Sequence, residues 1–385
     1  MNALVVTFDR LPLRMLGCYG NDWIATPHFD RLAVESVVFD AHFADTTEQT
    51  RPSDAWWTGR HRLQSAPPSG GKPSGLGERL REAGVRTTLL AEACGEESIP
   101  VPVDFDELAN PVDSFAELVA TAIQTIESFN DDVSPSLLWL KSQGVPDDWM
   151  SPEESDAEPI EVVELLQKMA GSGFSSLTSA ERTLIRRVYG ECVMELDESL
   201  ARLLEVCHSR GLLDDCLLIV AAAGGDDLGE RADIGEASAR SMPSSLRGEL
   251  IQGPLFVRMP GADVGTRRRA LVQTIDMVPT LCDWFGIPPD EANHACEGNS
   301  LLPVVRGEIE AVHDHLLIAG DGARAVRTAA FQLNQGQLNQ ADFGDSEVET
   351  WLFAKPEDRW DVLDVADQYP AVVAELSERL SDLSP

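Results

Sequence analysis

The run Cys216-Leu217-Leu218-Ile219-Val220 leads directly into Ala222-Ala223-Gly224-Gly225-Asp226-Asp227-Leu228-Gly229, an apolar strand that ends in a small-residue, acidic loop. A strand feeding a loop is the usual seat of functional groups in an α/β sheet, because ligands bind beyond the carboxyl ends of the strands. The rest of the chain supplies partners for such a sheet. Strand-like runs over 4–8, 85–90, 136–140 and 253–257 alternate with helix-like stretches over 27–37, 76–83, 115–129, 179–210 and 275–285. This alternation predicts an α/β fold, a doubly wound and mostly parallel sheet with helices on both faces.

Within 179–210, Leu184, Ile185, Val188, Leu196, Leu200, Leu203 and Leu204 recur at helical spacing as a core stripe, and Gly211 closes the helix. Ser179-Ala180-Glu181-Arg182 does not complete a capping box, because its fourth residue is Arg. Residues 145–160 are rich in Pro and acids and read as a surface loop. From about residue 306 the character changes, with short strand-like runs around Leu316-Leu317-Ile318, Ala325-Val326-Arg327-Thr328 and Trp351-Leu352-Phe353, then a helix over 371–383 behind Pro370. The organisation expected is an α/β domain over 1–305 and a small C-terminal α+β subdomain over 306–385, an antiparallel sheet with a closing helix.

Lys plus Arg is 30 against 65 Asp plus Glu, a formal charge of −35. Such a field repels nucleic acid and anionic membrane surfaces, which leaves a small molecule or a protein as partner. It also slows an approaching sulfate or phosphate ester unless a local basic pocket offsets it. The seven cysteines are odd in number and contain no C-x-x-C pair, which argues for a reducing compartment and against a disulfide framework or zinc knuckle. No basic, apolar, small-residue leader pattern opens the sequence, and no apolar run approaches the ~20 residues that span a bilayer. A cytoplasmic location is the expectation.

Eight segments, in order, resemble the sulfatase family of the alkaline-phosphatase superfamily. Asp9-Arg10-Leu11-Pro12-Leu13-Arg14-Met15-Leu16-Gly17-Cys18-Tyr19-Gly20 is similar to the family opening, and Thr26-Pro27-His28-Phe29-Asp30-Arg31-Leu32-Ala33 to its Thr-Pro-Asn-Leu-Asp-Arg-Leu-Ala. Pro52-Ser53 with Thr58-Gly59-Arg60 resembles the nucleophile segment, and Val188-Tyr189-Gly190 through Leu213-Asp214-Asp215 the long helix before the metal loop. Pro254-Leu255-Phe256-Val257-Arg258-Met259-Pro260-Gly261, Asp276-Met277-Val278-Pro279-Thr280-Leu281, Ser300 to Glu308, and Trp360-Asp361-Val362-Leu363-Asp364 complete the set.

The resemblance implies a hydrolase of sulfate esters with a divalent cation, calcium or magnesium, held by oxygen ligands beside a nucleophile. Asp9 matches the first metal ligand, with Arg10 at the second acidic position. Aligned on Leu228-Gly229, the family's Asp-His metal pair falls on Ala223 and Gly224, which offer no side-chain ligand. The nucleophile falls on Thr50 if Pro52 is the motif proline, or on Gln49 when counted back from Thr58-Gly59-Arg60. The motif arginine becomes Asp54. The family's Gly-Lys-Trp-His falls on Ala91-Glu92-Ala93-Cys94, and its Pro-His-x-Pro on Lys141-Ser142-Gln143-Gly144-Val145-Pro146, which has no His. Asp226 and Asp227, three residues beyond the lost pair, are the candidates for a rescued metal site. His313 and His315 alternate on an expected strand of the small subdomain, away from any ligand pattern.

Two readings follow. In the first, the chain is a pseudo-sulfatase that has lost most metal- and sulfate-binding positions, holds no tight cofactor and binds a ligand or partner. In the second, it is an active sulfate-ester or phosphodiester hydrolase using Thr50 and a cation remodelled around Asp9 and Asp226 or Asp227. An interaction module, marked by a large exposed apolar patch, is a third.

Overall fold

The computed structural model describes residues 2–47, 54–61, 63, 75–93, 104–128, 134–145, 165, 177–229, 246–288, 296–320, 322–337 and 348–381. Its strands in chain order are β1 (Asn2–Arg10), β2 (Val37–Phe39), β3 (His42–Phe43), β4 (Arg86–Ala91), β5 (Glu107–Leu108), β6 (Ser136–Gly144) and β7 (Cys216–Gly224). They continue with β8 (Leu255–Arg258), β9 (Thr266–Arg268), β10 (Val272–Gln273), β11 (His315–Gly320), β12 (Ala323–Thr328), β13 (Phe331–Gln337) and β14 (Val348–Ala354).

Eight strands form one sheet in the order β5-β4-β6-β1-β7-β8-β2-β9. Every neighbouring pair is parallel except the two made by β8, which runs antiparallel to β7 and β2. All nine residues of β7 are buried, as a central strand covered on both faces requires. Full burial of each of Leu217, Leu218, Ile219 and Val220 contributes about 1.5–3 kcal/mol by area. Alternation on β1 sends Leu4, Val6 and Phe8 to one apolar layer and Ala3 and Val5 to the other. The first layer is closed by helices Phe115–Ser128 and Ser179–Ser209, the second by Leu76–Glu82, Met277–Trp284 and Leu302–Val305.

The C-terminal strands form a separate antiparallel sheet, β11-β12-β13-β14. Helix Pro370–Ser381 lays Leu376 and Leu380 onto Val326, Leu333 and Leu352 of that sheet. Pro370 is its first residue rather than its predecessor, a position where the missing N–H costs nothing.

Three local expectations are corrected. The helix expected over 27–37 stops at Val34, and Val37-Val38-Phe39 become β2. These residues gain complete burial between β8 and β9, which overrides helical continuation. Helix Ser179–Ser209 has a capping box where none was expected, built on Thr178 rather than Ser179. Thr178 Oγ1 accepts from the Glu181 amide (3.3 Å), and Glu181 Oε2 accepts from the Thr178 amide (2.5 Å). Finally, β6 runs on through Lys141-Ser142-Gln143-Gly144 instead of stopping at Leu140.

Candidate functional site at the edge of the central strands

Strands β6, β1 and β7 end level with one another, since Arg10 pairs with Gly144 on one side and Gly224 on the other. Their carboxyl ends therefore present Lys141–Gly144, Asp9–Arg10 and Ala222–Gly224 along one line. Asp9 and Lys141 continue the odd-numbered face of β1 and β6, on which Val5 and Trp139 lie, and Ala223 continues that face of β7.

Asp9 does not stand open at this edge. Lys141 Nζ donates to Asp9 Oδ2 at 2.7 Å, with the lysine side chain 3% exposed and the aspartate 15%. The ammonium neutralises the Asp9 carboxylate. Asp9 Oδ1 is buried and has no hydrogen-bond partner among the described residues. On the opposite face, Glu92 Oε2 accepts from Ser142 Oγ (2.9 Å) and the Gln143 amide (2.6 Å). Burial raises the Glu92 carboxyl from the ordinary 4.5 to about 7; Asp9 adds to the rise, while these two hydrogen bonds and Lys141 oppose it.

The loop after β7 is closed against its own scaffold. A side chain at Gly224 would overlap the Leu250 carbonyl, and one at Gly225 the Glu249 carbonyl, both in the helix Gly248–Ile251. Ala223 is 3% exposed and packs in the layer that includes Trp56 and Trp57. The backbone has filled the space in which a ligand at 224 would sit.

Asp226 and Asp227 lie beyond this point, each engaged by cations. Asp226 Oδ1 meets Arg10 Nη1 at 3.4 Å, its Oδ2 accepts from the Tyr189 hydroxyl at 2.5 Å, and its carbonyl accepts from Arg14. Burial and the neighbouring Asp226 push the Tyr189 hydroxyl well above its usual range, so it remains a donor. Asp227 Oδ2 meets Arg247 at 2.9 Å, and Oδ1 accepts from the Gly229 amide at 2.9 Å. Neither carboxylate is brought into contact with Asp9. Gln49, Thr50 and Cys94 lie outside the described residues. Asp54 opens the helix Asp54–Thr58.

The two histidines singled out in the sequence each face a carboxylate. His313 precedes β11 rather than lying on it, and its Nε2 sits 2.8 and 3.0 Å from the two Asp276 oxygens. That fully buried carboxylate also accepts from the Gln273 and Asn299 amides, each at 2.8 Å. His315 opens β11 and faces Asp314 at 2.6 Å.

A hard divalent cation needs about six oxygen ligands. The described residues do not fit one: no group of three or more His, Cys, Asp or Glu converges among them, and the Asp9 carboxylate carries an ammonium. Sequence reasoning gave Lys141 no role. The available signal was parity, since Lys141 lies two residues beyond buried Trp139 on a strand longer than expected.

The mixed sheet with its antiparallel annex, and Asp9 at the carboxyl end of the first strand, define an alkaline-phosphatase-superfamily α/β protein. The sulfatase family profile matches residues 1–117 and 142–287, more than half of the chain, so the chain belongs to the sulfatase family. Curated relatives include the multifunctional alkaline phosphatase superfamily protein PehA of Trinickia caryophylli, 29% identical over 135 residues, covering 34% of this chain and 24% of PehA. The choline-sulfatase of Rhizobium meliloti (strain 1021) is 32% identical over 127 residues, covering 32% of this chain and 22% of that protein. The matches to these two thus span under a quarter of each relative. Among solved structures, the phosphonate monoester hydrolase of Agrobacterium radiobacter superposes with a TM-score of 0.73 at 18% identity, covering 99% of this chain and 95% of that one. A putative sulfatase of Bacteroides thetaiotaomicron gives 0.74 at 17% identity, with coverages of 99% and 91%. At such identities these two establish the fold alone.

Proposed function

We propose that this chain is a sulfatase-family protein whose hydrolytic centre has been replaced by an internal ion pair and which acts by binding. The single observation that carries this reading is Lys141 Nζ at 2.7 Å from Asp9 Oδ2. In a metal-dependent ester hydrolase, a cation with open coordination positions polarises the ester oxygens. A lysine ammonium neutralises Asp9 and offers no open coordination position. It holds β6 against β1 and leaves the edge electrostatically settled. With −35 overall, the partner is a small molecule or a protein rather than nucleic acid or an anionic membrane. Among the described residues no helix is long and apolar enough to cross a membrane.

The test is turnover of an aryl sulfate, a phosphate monoester, a phosphodiester and a phosphonate monoester with added calcium, magnesium, manganese or zinc. The proposal expects rates at the buffer background throughout. The partnerless Asp9 Oδ1 supports the second reading, an active hydrolase, because it leaves one buried oxygen for a metal. That reading expects metal-stimulated cleavage that Thr50→Ala abolishes, and such a result would overturn the first.

A further inference from the structure

A second centre lies away from Asp9, in the seam between the main sheet and the C-terminal sheet. It is a cleft of about 520 Å³, within the size range of small-molecule sites. Neither Asp9, Lys141, Glu92, Asp226 nor Asp227 lines it. Five of its sixteen lining residues are cationic, Arg267, Arg269, Arg327, Lys355 and Arg359, in a chain where only 30 of 385 are. Among the described lining residues the one carboxylate is Asp40. These side chains come from β9, the segment that follows it, β12 and the segment after β14, so only the tertiary fold assembles them.

Their pairing is incomplete. Arg267 is held by Asp40 at 2.5 Å, and Lys355 by Asp361 at 2.5 Å. Arg269, Arg327 and Arg359 have no carboxylate at ion-pair distance among the described residues. Arg327 is the decisive member. It is 7% exposed, its Nη1 donates to the Thr328 and Phe331 carbonyls (2.6 and 3.4 Å), and its guanidinium lies 5.5 Å from the Phe43 ring centroid. The carboxylate that influences it, Asp361, is already engaged by Lys355 and by the Gly248 amide at 2.9 Å. Burial pushes the Arg327 guanidinium down to about 10, which still leaves it charged at neutral pH. A buried charge without an opposite charge is costly, and so is a cluster of like charges around it. Such an arrangement is stabilised when an anion arrives.

We propose that this cleft is a binding site for a small polyanion carrying at least two tetrahedral oxyanion groups, phosphate or sulfate, with Arg327 at its floor and Arg269 and Arg359 at its mouth. Four of the five cations are arginines, whose planar forks bind tetrahedral oxyanions bidentately, where lysine acts as a point charge. More than one oxyanion is required because three guanidiniums with no carboxylate at ion-pair distance among the described residues sit in one cleft. In so acidic a protein a local basic pocket also directs the ligand to this seam, since the remaining surface repels it. The inference is independent of whether hydrolysis survives at Asp9, and its test reads binding alone.

The experiment is calorimetric titration of the full chain at constant ionic strength with inorganic pyrophosphate, orthophosphate and glucosamine-2-N,6-O-disulfate in separate arms. Pyrophosphate or the disulfated sugar should bind with one site per chain, and orthophosphate ~10-fold or more weaker, since it presents one oxyanion. The arm that binds tighter identifies the oxyanion. The double variant R269Q/R359Q changes only exposed side chains, so it keeps the test valid even if R327Q fails to fold. It should weaken the ligand with two oxyanion groups by ~10-fold or more while leaving the unliganded melting temperature in place. No saturable heat with both pyrophosphate and the disulfated sugar, or equal affinity in the double variant, would overturn the assignment.

Discussion

At the edge of β6, β1 and β7 three carboxylates are each paired with a cation. Asp9 faces Lys141, Asp226 faces Arg10, and Asp227 faces Arg247. In the seam beneath the C-terminal sheet the ratio is reversed, with five cations lining a cleft that has one lining carboxylate among the described residues. The two regions lie on either side of helix Gly248–Ile251, whose carbonyls close the loop after β7 and whose first residue lines the cleft. The contrast teaches that a charge of −35 is an average: carboxylates at the strand edge are paired with cations, while cations gather in the seam with few carboxylates among the described residues. Where charge is already matched there is little left to hold a ligand; where it is unmatched, an ionic ligand has something to gain.

The largest effect should come from breaking the matched region. Lys141→Met leaves Asp9 buried without its cation, and removal of one partner of a buried pair costs about 3–5 kcal/mol. Urea unfolding measures it, and the double variant K141M/D9N should recover much of the loss. A K141M cost equal to that of an ordinary surface change would break the comparison.

Restoring the family's metal-loop histidine should do harm rather than repair. Gly224→His drives a side chain into the Leu250 carbonyl, an overpacking that costs about 1–3 kcal/mol. The variant should melt lower and gain no metal; tight metal binding without loss of stability would show that the loop can open.

Glu92 makes the matched edge sensitive to pH. Its folded carboxyl titrates near 7, above the ordinary 4.5, so between those values the native protein keeps a proton that the unfolded chain has released. Its contribution is fully present below about 4.5 and is lost as pH rises through about 7, a change on the order of 3 kcal/mol at most. Glu92→Gln retains an acceptor for Ser142 and the Gln143 amide, so it should remove this slope and gain ~1–3 kcal/mol at pH 8 relative to the wild-type chain. Parallel stability–pH curves for the two proteins would refute this titration.

The smallest effect belongs to the unmatched region. Arg269→Gln removes one of several like charges and no ion pair among the described residues, so the unliganded protein should change by less than about 0.5 kcal/mol, or become slightly more stable. A clear loss would mean that Arg269 is matched after all.

Much of the scaffold was legible in the chain because its signals are local. The apolar runs at 4–8 and 216–220, the stripe in helix Ser179–Ser209 and the short strands of the annex each state their own environment. What escaped depends on competition or distance. Val37-Val38 fit a helix pattern until β8 and β9 claim them, and Thr178 lies one residue outside the expected cap. At the site, the absence of side-chain ligands at Ala223 and Gly224 was plain from residue type. Lys141 was missed because its role needs the register that sets Thr7 against Lys141 and places Asp9 within reach. The cleft was anticipated only as a requirement, a basic pocket to offset the acidic field. Arg267, Arg327 and Arg359 are far apart in sequence, and no local pattern joins them.

The central claim, that Lys141 has replaced the catalytic cation at Asp9, is tested most directly by metal stoichiometry. The chain, purified after equilibration with calcium, magnesium, manganese and zinc and then desalted, is analysed by mass spectrometry of the elements. The ion pair predicts far less than one divalent ion per chain. One ion per chain, lost on Asp9→Asn, would contradict it.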